Sequence, residues 1–462
     1  MKWLIGILVI SILYTSYHWT QKQELKSGDL TKEGLESLIE TYLQNNETIG
    51  MCVGIAMKDR ILFNKCFGYS EVGKNERISA SHIFSLASIT KFITALCVVQ
   101  LVEQNLISLD HPITRFFPEL PGSFQPIKVR HLLNHTSGIE SLTVLADSLK
   151  MNHDIDLRKD NRILQFLSEK HLIHKPGEHW SYNNSGYFLL GKIIEQVSGL
   201  SYQDFLYKYI LVPAGMSNTG LCSQEPQKSS YQDHYLVNSH LTNYLKDQRI
   251  YEQLKGEGGI CSTTEDLLKL MLAIENGLLV GTEYFLLMLE AAKLNDGGTI
   301  PYGFGVRLGS TLGPDKFGHT GGAISDKTIL AHYPNENISL VVLSNSEPAE
   351  VDFLAYEIEK LLLPSAFDDI MQPVDAEFIY AGEYQWGEYS IRYQMDSDGR
   401  LWEIIQDEDG GDSLVYDYIG NHRFYNKLYA QELQFIFKDK KAEQVITYSG
   451  GLFSDTEIAF RK

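Results

Sequence analysis

Apolar residues recur at helical spacing over residues 33–45, where Leu35, Leu38, Ile39 and Leu43 fall on one face. Two short apolar runs follow, 51–57 and 60–68, separated by Lys58-Asp59, and this pattern predicts a β-hairpin. A second helical pattern opens near Ser88 and continues through Leu101, until Leu109-Asp110-His111-Pro112 breaks it. From roughly 128 to 300 helical periodicity dominates. It is clearest over 185–198, with Gly199 as the stop. Strand-like runs return at 302–308, 326–333 and 338–344, and a last helix over about 349–363 ends before Pro364. Strands thus lie toward both ends of this stretch with helices between them. Distant segments must close one antiparallel sheet flanked by helices, beside a helical lobe, which is an α+β fold.

Beyond a predicted linker at 365–376 the texture changes. Tyr389, Ile391, Tyr393 and Met395 alternate with polar residues, and Leu433, Phe435 and Phe437 alternate again. Asp398-Gly399 and Asp409-Gly410 supply turns. They lack the glycine and glutamate positions of a calcium-binding loop, so they read as plain turns. Residues 377–462 are therefore expected to form a small all-β, barrel-like unit, after a main unit over 31–364.

Composition narrows the function. A formal net charge of −19 with no basic run argues against nucleic acid as a partner. None of Cys52, Cys66, Cys97, Cys222 and Cys261 sits in a C-x-x-C pair or at zinc spacing. Several lie in apolar runs, so all five are expected to be small buried hydrophobes outside any disulfide framework. At the start of the chain, Lys2 precedes an apolar run from Trp3 to about Tyr17. That resembles an export signal, too short for a full span of ~20 residues. With no clear cleavage site after it, residues 1–30 are expected to be a signal peptide or a retained N-terminal anchor plus spacer. Residues 3–17 would then be the membrane-contacting part.

Three separated segments carry candidate chemistry. The first is Ser85-Leu86-Ala87-Ser88-Ile89-Thr90-Lys91, at the mouth of an apolar helix. Residues three apart on a helix face the same way, so the Ser88 hydroxyl and the Lys91 amine can meet. A serine hydroxyl is a weak nucleophile until a neighbour takes its proton, and a desolvated lysine can do so. The bland alternative is a helix-capping serine. The second segment is His179 to Tyr187, where Tyr182 and Asn184 sit at a loop-to-helix junction. A phenol there can shuttle protons, and an amide can bind both the lysine and a substrate carbonyl. The third is Phe317-Gly318-His319-Thr320-Gly321-Gly322, just before a strand. Its glycines let a substrate backbone approach, and the Gly322 N–H could join that of Ser88 in an oxyanion hole.

The order S-x-x-K, Y-x-N, H-T-G resembles the active-site triplet of the serine β-lactamase and penicillin-binding superfamily. This version of the triplet looks like that of the branch containing class C β-lactamases, D-alanyl-D-alanine carboxypeptidases, D-aminopeptidases and related esterases. Leu109 to Pro112, Val129 to Gly138, Pro213 to Met216 and Gly258 to Thr263 match that branch too. The resemblance covers about 33–363, and the tail is similar to the small β-barrel appended to such hydrolases. It implies a β-lactamase/transpeptidase-like fold and an acyl-enzyme mechanism without cofactor or metal. Ser88 would attack, Lys91 and Tyr182 would move protons, and Asn184, His319, Thr320, Gly321 and Gly322 would hold the substrate or the oxyanion. His135-Thr136-Ser137-Gly138 would be scaffold.

The implied partners are small-molecule or peptide-like substrates, and the implied location is periplasmic or extracellular. One departure from the family pattern bears on specificity. His319 stands where true β-lactamases carry a lysine, which predicts a preference for esters or peptide-like amides over carboxylate-bearing β-lactams. The alternative function is a receptor on the same fold, binding cell-wall fragments or β-lactams without catalysis or only becoming acylated by them.

Overall fold

The computed structural model describes residues 31–461, apart from 47, 72–74, 142–160, 223–254, 310–314, 324–325, 347–348 and 365–377, and the tail stretches 387–388, 397–399, 406–412, 421–422, 427–430, 439 and 450–454. The expected export segment, linker and Asp-Gly turns lie outside the described residues.

Six antiparallel strands form the central sheet: β1 (Gly50–Met57), β2 (Arg60–Gly68), β3 (Arg307–Gly309), β4 (Lys316–Gly322), β5 (Lys327–Tyr333) and β6 (Ile338–Ser344), in the order β2-β1-β6-β5-β4-β3. The β1–β6 seam, Met51 opposite Ser344 through Met57 opposite Ile338, joins residues almost 300 apart in sequence. Closing a loop that long costs chain entropy, which burial on both faces of the sheet must outweigh. Alternation along the strands divides that burial. Met51, Val53, Ile55, Ile329, Ala331, Leu340 and Val342 pack against α1 (Lys32–Asn45) and α5 (Val351–Leu362). Cys52, Ala56, Leu330, Val341 and Leu343 face the larger core with the remaining helices.

At the centre of that larger core lies α2 (Thr90–Glu103), every residue of which is buried from Thr90 through Leu101. A helix that is apolar all round must be a core helix, and this one begins at Ser88's doorstep. Helix α3 (Asn184–Ser198) begins at an Asn183 cap whose side chain accepts from the Gly186 N–H and ends at Gly199 with φ 70°, as its sequence predicts. Helix α4 (Thr264–Glu275) packs on β1 where Gly54 leaves room for Leu268.

In the tail, eight strands from Gly382 to Arg461 close into an antiparallel barrel, the first pairing with the last through Tyr384–Arg461 and Gln385–Phe460. Its core is aromatic, with Tyr380, Tyr384, Tyr393, Tyr416, Phe424 and Phe435 buried. Inside it, the phenols of Tyr393 and Tyr416 donate to Glu403 Oε2 at 2.9 and 3.0 Å.

Two expectations need correction. The run 302–308 is strand only from Arg307. Tyr302 through Val306 is a buried irregular crossing, in which the Gly303 N–H donates to Val306 O at 2.8 Å. Apolar residues buried on all sides carry no period, so a buried crossing and a buried strand look alike in sequence. The cysteines also differ from expectation. Cys52 is bonded to Cys66, and Cys222 to Cys261, while Cys97 is free and buried. Cys52 and Cys66 stand directly opposite each other in the β1–β2 register. Sequence spacing cannot reveal a cross-strand neighbour, whereas register can.

Candidate active site

Ser88 is the middle residue of a one-turn 3-10 helix, Ala87–Ile89, leading into α2. Ala87 has φ 45°, in the left-handed region that costs a residue with a side chain of order 1 kcal/mol or more. Such strain persists only where the surroundings dictate it. Here Leu86 N–H is held by Ile260 O at 2.9 Å, and Ser85 N–H by the Asp326 carboxylate at 2.8 Å. In the stretch Phe84–Thr90 every residue but Ser88 is buried, so the turn presents one half-exposed hydroxyl.

Lys91 lies one turn along and is only 1% exposed. Its Nζ donates to Ser88 Oγ at 3.1 Å and to the Glu257 backbone carbonyl at 2.8 Å. The ammonium also faces the rings of Tyr182 at 4.9 Å and Tyr187 at 5.8 Å, where π-faces replace some of the lost water. Among the described residues, the Tyr182 phenol makes no hydrogen bond, and its ring is held against Lys91 and His319. Among the described residues, Asn184 Oδ1 is buried without a hydrogen-bond partner. The expected Asn184–Lys91 contact is therefore absent, because Lys91 is turned to the Glu257 carbonyl instead.

The third segment arrives on β4. Gly321 lies so close to the Leu86 carbonyl that an added Cβ would meet its oxygen at 2.2 Å. Glycine is required at this position, and it lets the strand lie directly on the nucleophile turn. Thr328 Oγ1 reinforces the junction by donating to Leu86 O at 3.1 Å. Thr320 is half-buried and Gly322 exposed, at the rim beside Ser88's turn. The His319 ring lies 6.0 Å from that of Tyr182. Segments beginning near 85, 180 and 317 thus converge, as the sequence requires.

His319 does not face the crevice as a free base. Its Nδ1 meets Thr320 O at 2.6 Å and its Nε2 meets the Tyr302 phenol at 3.0 Å. His135 meets that same phenol through Nε2 at 3.1 Å, and its Nδ1 accepts from the Asn183 N–H at 3.1 Å. One donor sequence satisfies every contact. Asn183 N–H donates to His135, His135 Nε2–H to Tyr302, Tyr302 O–H to His319, and His319 Nδ1–H to Thr320 O. Both imidazoles are then neutral. Burial, reinforced by the Lys91 and Arg307 charges, pushes both histidines well below their ordinary value. His135 is thus a support for His319, consistent with a scaffold role.

Sequence reasoning missed Tyr302, Glu257 and Arg307. The half-buried Arg307 guanidinium lies 5.9 Å from the Tyr182 ring. Arg307 therefore places a permanent cation beside Tyr182, where the neutral His319 contributes none. In sequence, Arg307 was one basic residue near the end of the strand-like run 302–308.

The sequence matches the family model described as Beta-lactamase over residues 35–363. The chain belongs to this family. This Beta-lactamase family member is 27% identical over 446 residues to Penicillin-binding protein 4* of Bacillus subtilis, covering 91% of this chain and 97% of that one. It is also 28% identical over 205 residues to Protein flp of Staphylococcus aureus, covering 44% of this chain and 40% of that one. Among solved structures, the octameric penicillin-binding protein homologue from Pyrococcus abyssi matches at TM-score 0.61 and 24% identity, over 93% of this chain and all of that one. D-amino acid amidase from Ochrobactrum anthropi matches at TM-score 0.59 and 22% identity, over 71% and 99%. The fold is thus the β-lactamase and penicillin-binding type.

Proposed function

We propose that the chain is a serine hydrolase that forms an acyl-enzyme on Ser88 with ester, amide or peptide-like substrates. The observation carrying this reading is the 3.1 Å contact between Lys91 Nζ and Ser88 Oγ, made by a buried amine to the one half-exposed group of its turn. Lys91 takes the Ser88 proton as Oγ bonds to the substrate carbonyl. A positioned base of this kind contributes roughly 10²–10⁴-fold. The charge that develops on the carbonyl oxygen falls to the N–H groups of Ser88 and Gly322, and one such donor is worth about 3–4 kcal/mol. Lys91 and Tyr182 return the proton to the leaving group, Asn184 orients the substrate, and Thr320 and Gly321 line its path. Water then frees the acyl group. Similarity to proteins named penicillin-binding protein and D-amino acid amidase supports peptide-like or amide substrates.

The two disulfides support export, since such bonds persist in oxidising compartments. The apolar run at Trp3–Tyr17 fits a segment that directs or anchors the chain there.

The test is mass spectrometry after incubation with a fluorophosphonate or penicillin probe. Label on the Ser88 peptide is expected, and label elsewhere or none rejects the reading. An adduct that forms and never turns over with any ester or amide would favour the receptor alternative. Arg307→Gln is a second check, this time on recognition. It is expected to raise KM about tenfold for substrates with a free carboxylate, the scale of one charge-assisted contact, and to leave neutral aryl esters unchanged. Equal loss on both substrate classes would place Arg307 outside recognition.

A further inference from the structure

The nucleophile turn is held from two sides. On one side the two-residue strand Phe84–Ser85 pairs with Ile260–Ser262, Phe84 opposite Ser262 and Ser85 opposite Cys261. Leu86 continues that ladder, its N–H donating to Ile260 O at 2.9 Å. Successive N–H groups of an extended chain point to opposite sides, so the Ser85 N–H points away from Ile260–Ser262. In a wider sheet a strand carbonyl would meet it. Here the Asp326 side chain does, with Oδ2 accepting at 2.8 Å across 241 positions of sequence. Ser85 and Asp326 are both fully buried, so bulk water does not reach the bond to replace it.

Asp326 also secures the end of β4. Its carbonyl accepts from the Ala323 N–H at 2.8 Å, next to Gly322 and Lys327, which face each other in the β4–β5 ladder. One residue thus holds the nucleophile turn by its side chain and the strand end carrying Gly322 by its main chain. Two further contacts join the same parts. Gly321 packs on the Leu86 carbonyl, and Thr328 Oγ1 lies 3.1 Å from Leu86 O and 3.3 Å from Gly321 O. Both of these act at Leu86, and a single tie leaves the turn free to rotate about it relative to β4. Asp326 supplies a second point, at Ser85. Ala87 follows with φ 45°, a conformation that persists only while its surroundings dictate it. A plain turn aspartate would serve its own hairpin, whereas this carboxylate reaches the nucleophile segment.

We propose that Asp326 is a positioning residue that aligns the Ser88 N–H with the Gly322 N–H, the two donors assigned to the oxyanion. The inference rests on the acyl-enzyme reading of Ser88. Asp326 acts through Ser85 on one side and through Ala323 on the other. An oxyanion hole stabilises charge only when both donors aim at the point where that charge develops. A misplacement of about 1 Å in such a site can cost about 10²-fold. The effect falls on the transition state, where the oxyanion exists, and spares binding of the ground state. Loss of the Asp326 tie therefore lowers kcat and leaves KM nearly unchanged, a split that a general loss of folded protein does not produce.

The experiment compares hydrolysis of an aryl ester by the full chain as parent, Asp326→Ala, Asp326→Asn and Asp326→Glu. Each kcat is expressed per active site, counted as Ser88 labelled to completion by a fluorophosphonate, which removes any loss of folded protein. Asp326→Ala is expected to lower kcat per site about 10–100-fold and to change KM by less than about threefold. Asp326→Asn keeps an oxygen of the same reach for the Ser85 N–H and should return kcat to within about fivefold of the parent. Asp326→Glu keeps the charge but lengthens the arm by one methylene, and should lose about tenfold. Parent-like kcat per site in Asp326→Ala overturns the proposal, and so does a loss confined to KM. Asp326→Asn as impaired as Asp326→Ala also overturns it, because acceptance from Ser85 would then not be what matters. If Asp326→Ala does not fold, parent-like kcat per site in Asp326→Glu overturns it instead. A parent that is never labelled at Ser88 rejects the nucleophile reading itself, which separates the two failures.

Discussion

Replacing Ser88 by alanine is expected to abolish covalent labelling and to reduce hydrolysis by roughly 10⁶-fold, the scale seen when a serine hydrolase loses its nucleophile. Lys91→Ala should cost nearly as much, and the double variant little more than either single one. The reason is geometric. With Nζ 3.1 Å from Oγ, the two groups act as one unit, and a unit missing either half is already lost. On this reading, binding and oxyanion stabilisation by the Ser88 turn and β4 are expected to survive, and these alone still exceed water. The measurement is steady-state hydrolysis of an aryl ester, with far-UV circular dichroism to show that each variant is folded. Ser88→Ala retaining activity within about tenfold of the parent would remove Ser88 from the chemistry, since 1.4 kcal/mol is far below a nucleophile's share.

The largest effect expected on stability comes from Lys316→Ala. Lys316 opens β4, the strand that carries His319 to Gly322, and its Nζ donates to both Glu359 oxygens on α5 at 2.8 and 2.9 Å. Both side chains are essentially inaccessible. Removing the ammonium leaves a carboxyl buried with no counter-charge, which costs about 3–5 kcal/mol. The pH dependence follows from the sign of the remaining interaction. A stranded buried carboxyl has its folded-state value raised, so the folded protein binds the extra proton and loses stability as pH climbs above the unfolded carboxylate value. Urea melts of the variant should therefore show a smaller deficit at pH 5 than at pH 8. A deficit under about 1 kcal/mol at pH 8 would mean that water reaches the pair and screens it like a surface bridge. Because β4 also lies on the nucleophile turn, activity should fall along with stability, mainly as a loss of folded enzyme.

The parts of the site that sequence reasoning found are those whose geometry is local or whose order along the chain is itself a signature. Ser88 and Lys91 are three apart on a helix, so their meeting follows from helical pitch alone. Asn183 caps α3 and Gly199 stops it for reasons contained in a few residues. Alternation in 389–395 and 433–437 marked the tail as strand, though nothing in it states that eight strands close on themselves. The failures are equally particular. Cys52 and Cys66 are neighbours through strand register, 14 residues apart in sequence. Tyr302 and Glu257 sit in buried, irregular segments where no period distinguishes one residue from the next.

By itself the sequence determined the local elements, the α+β class and the family, and through motif order the residues around one hydroxyl. The tertiary structure decided what those residues do to each other's charge. It locked His319 neutral through Tyr302 and His135, brought the Arg307 guanidinium to the face of Tyr182, and turned Lys91 to the Glu257 backbone carbonyl. The physical reason is that a side chain's proton affinity depends on solvent exclusion and on charges a few ångströms away. Those neighbours include residues 166 and 167 positions apart in sequence, so their distances exist only once the fold has closed.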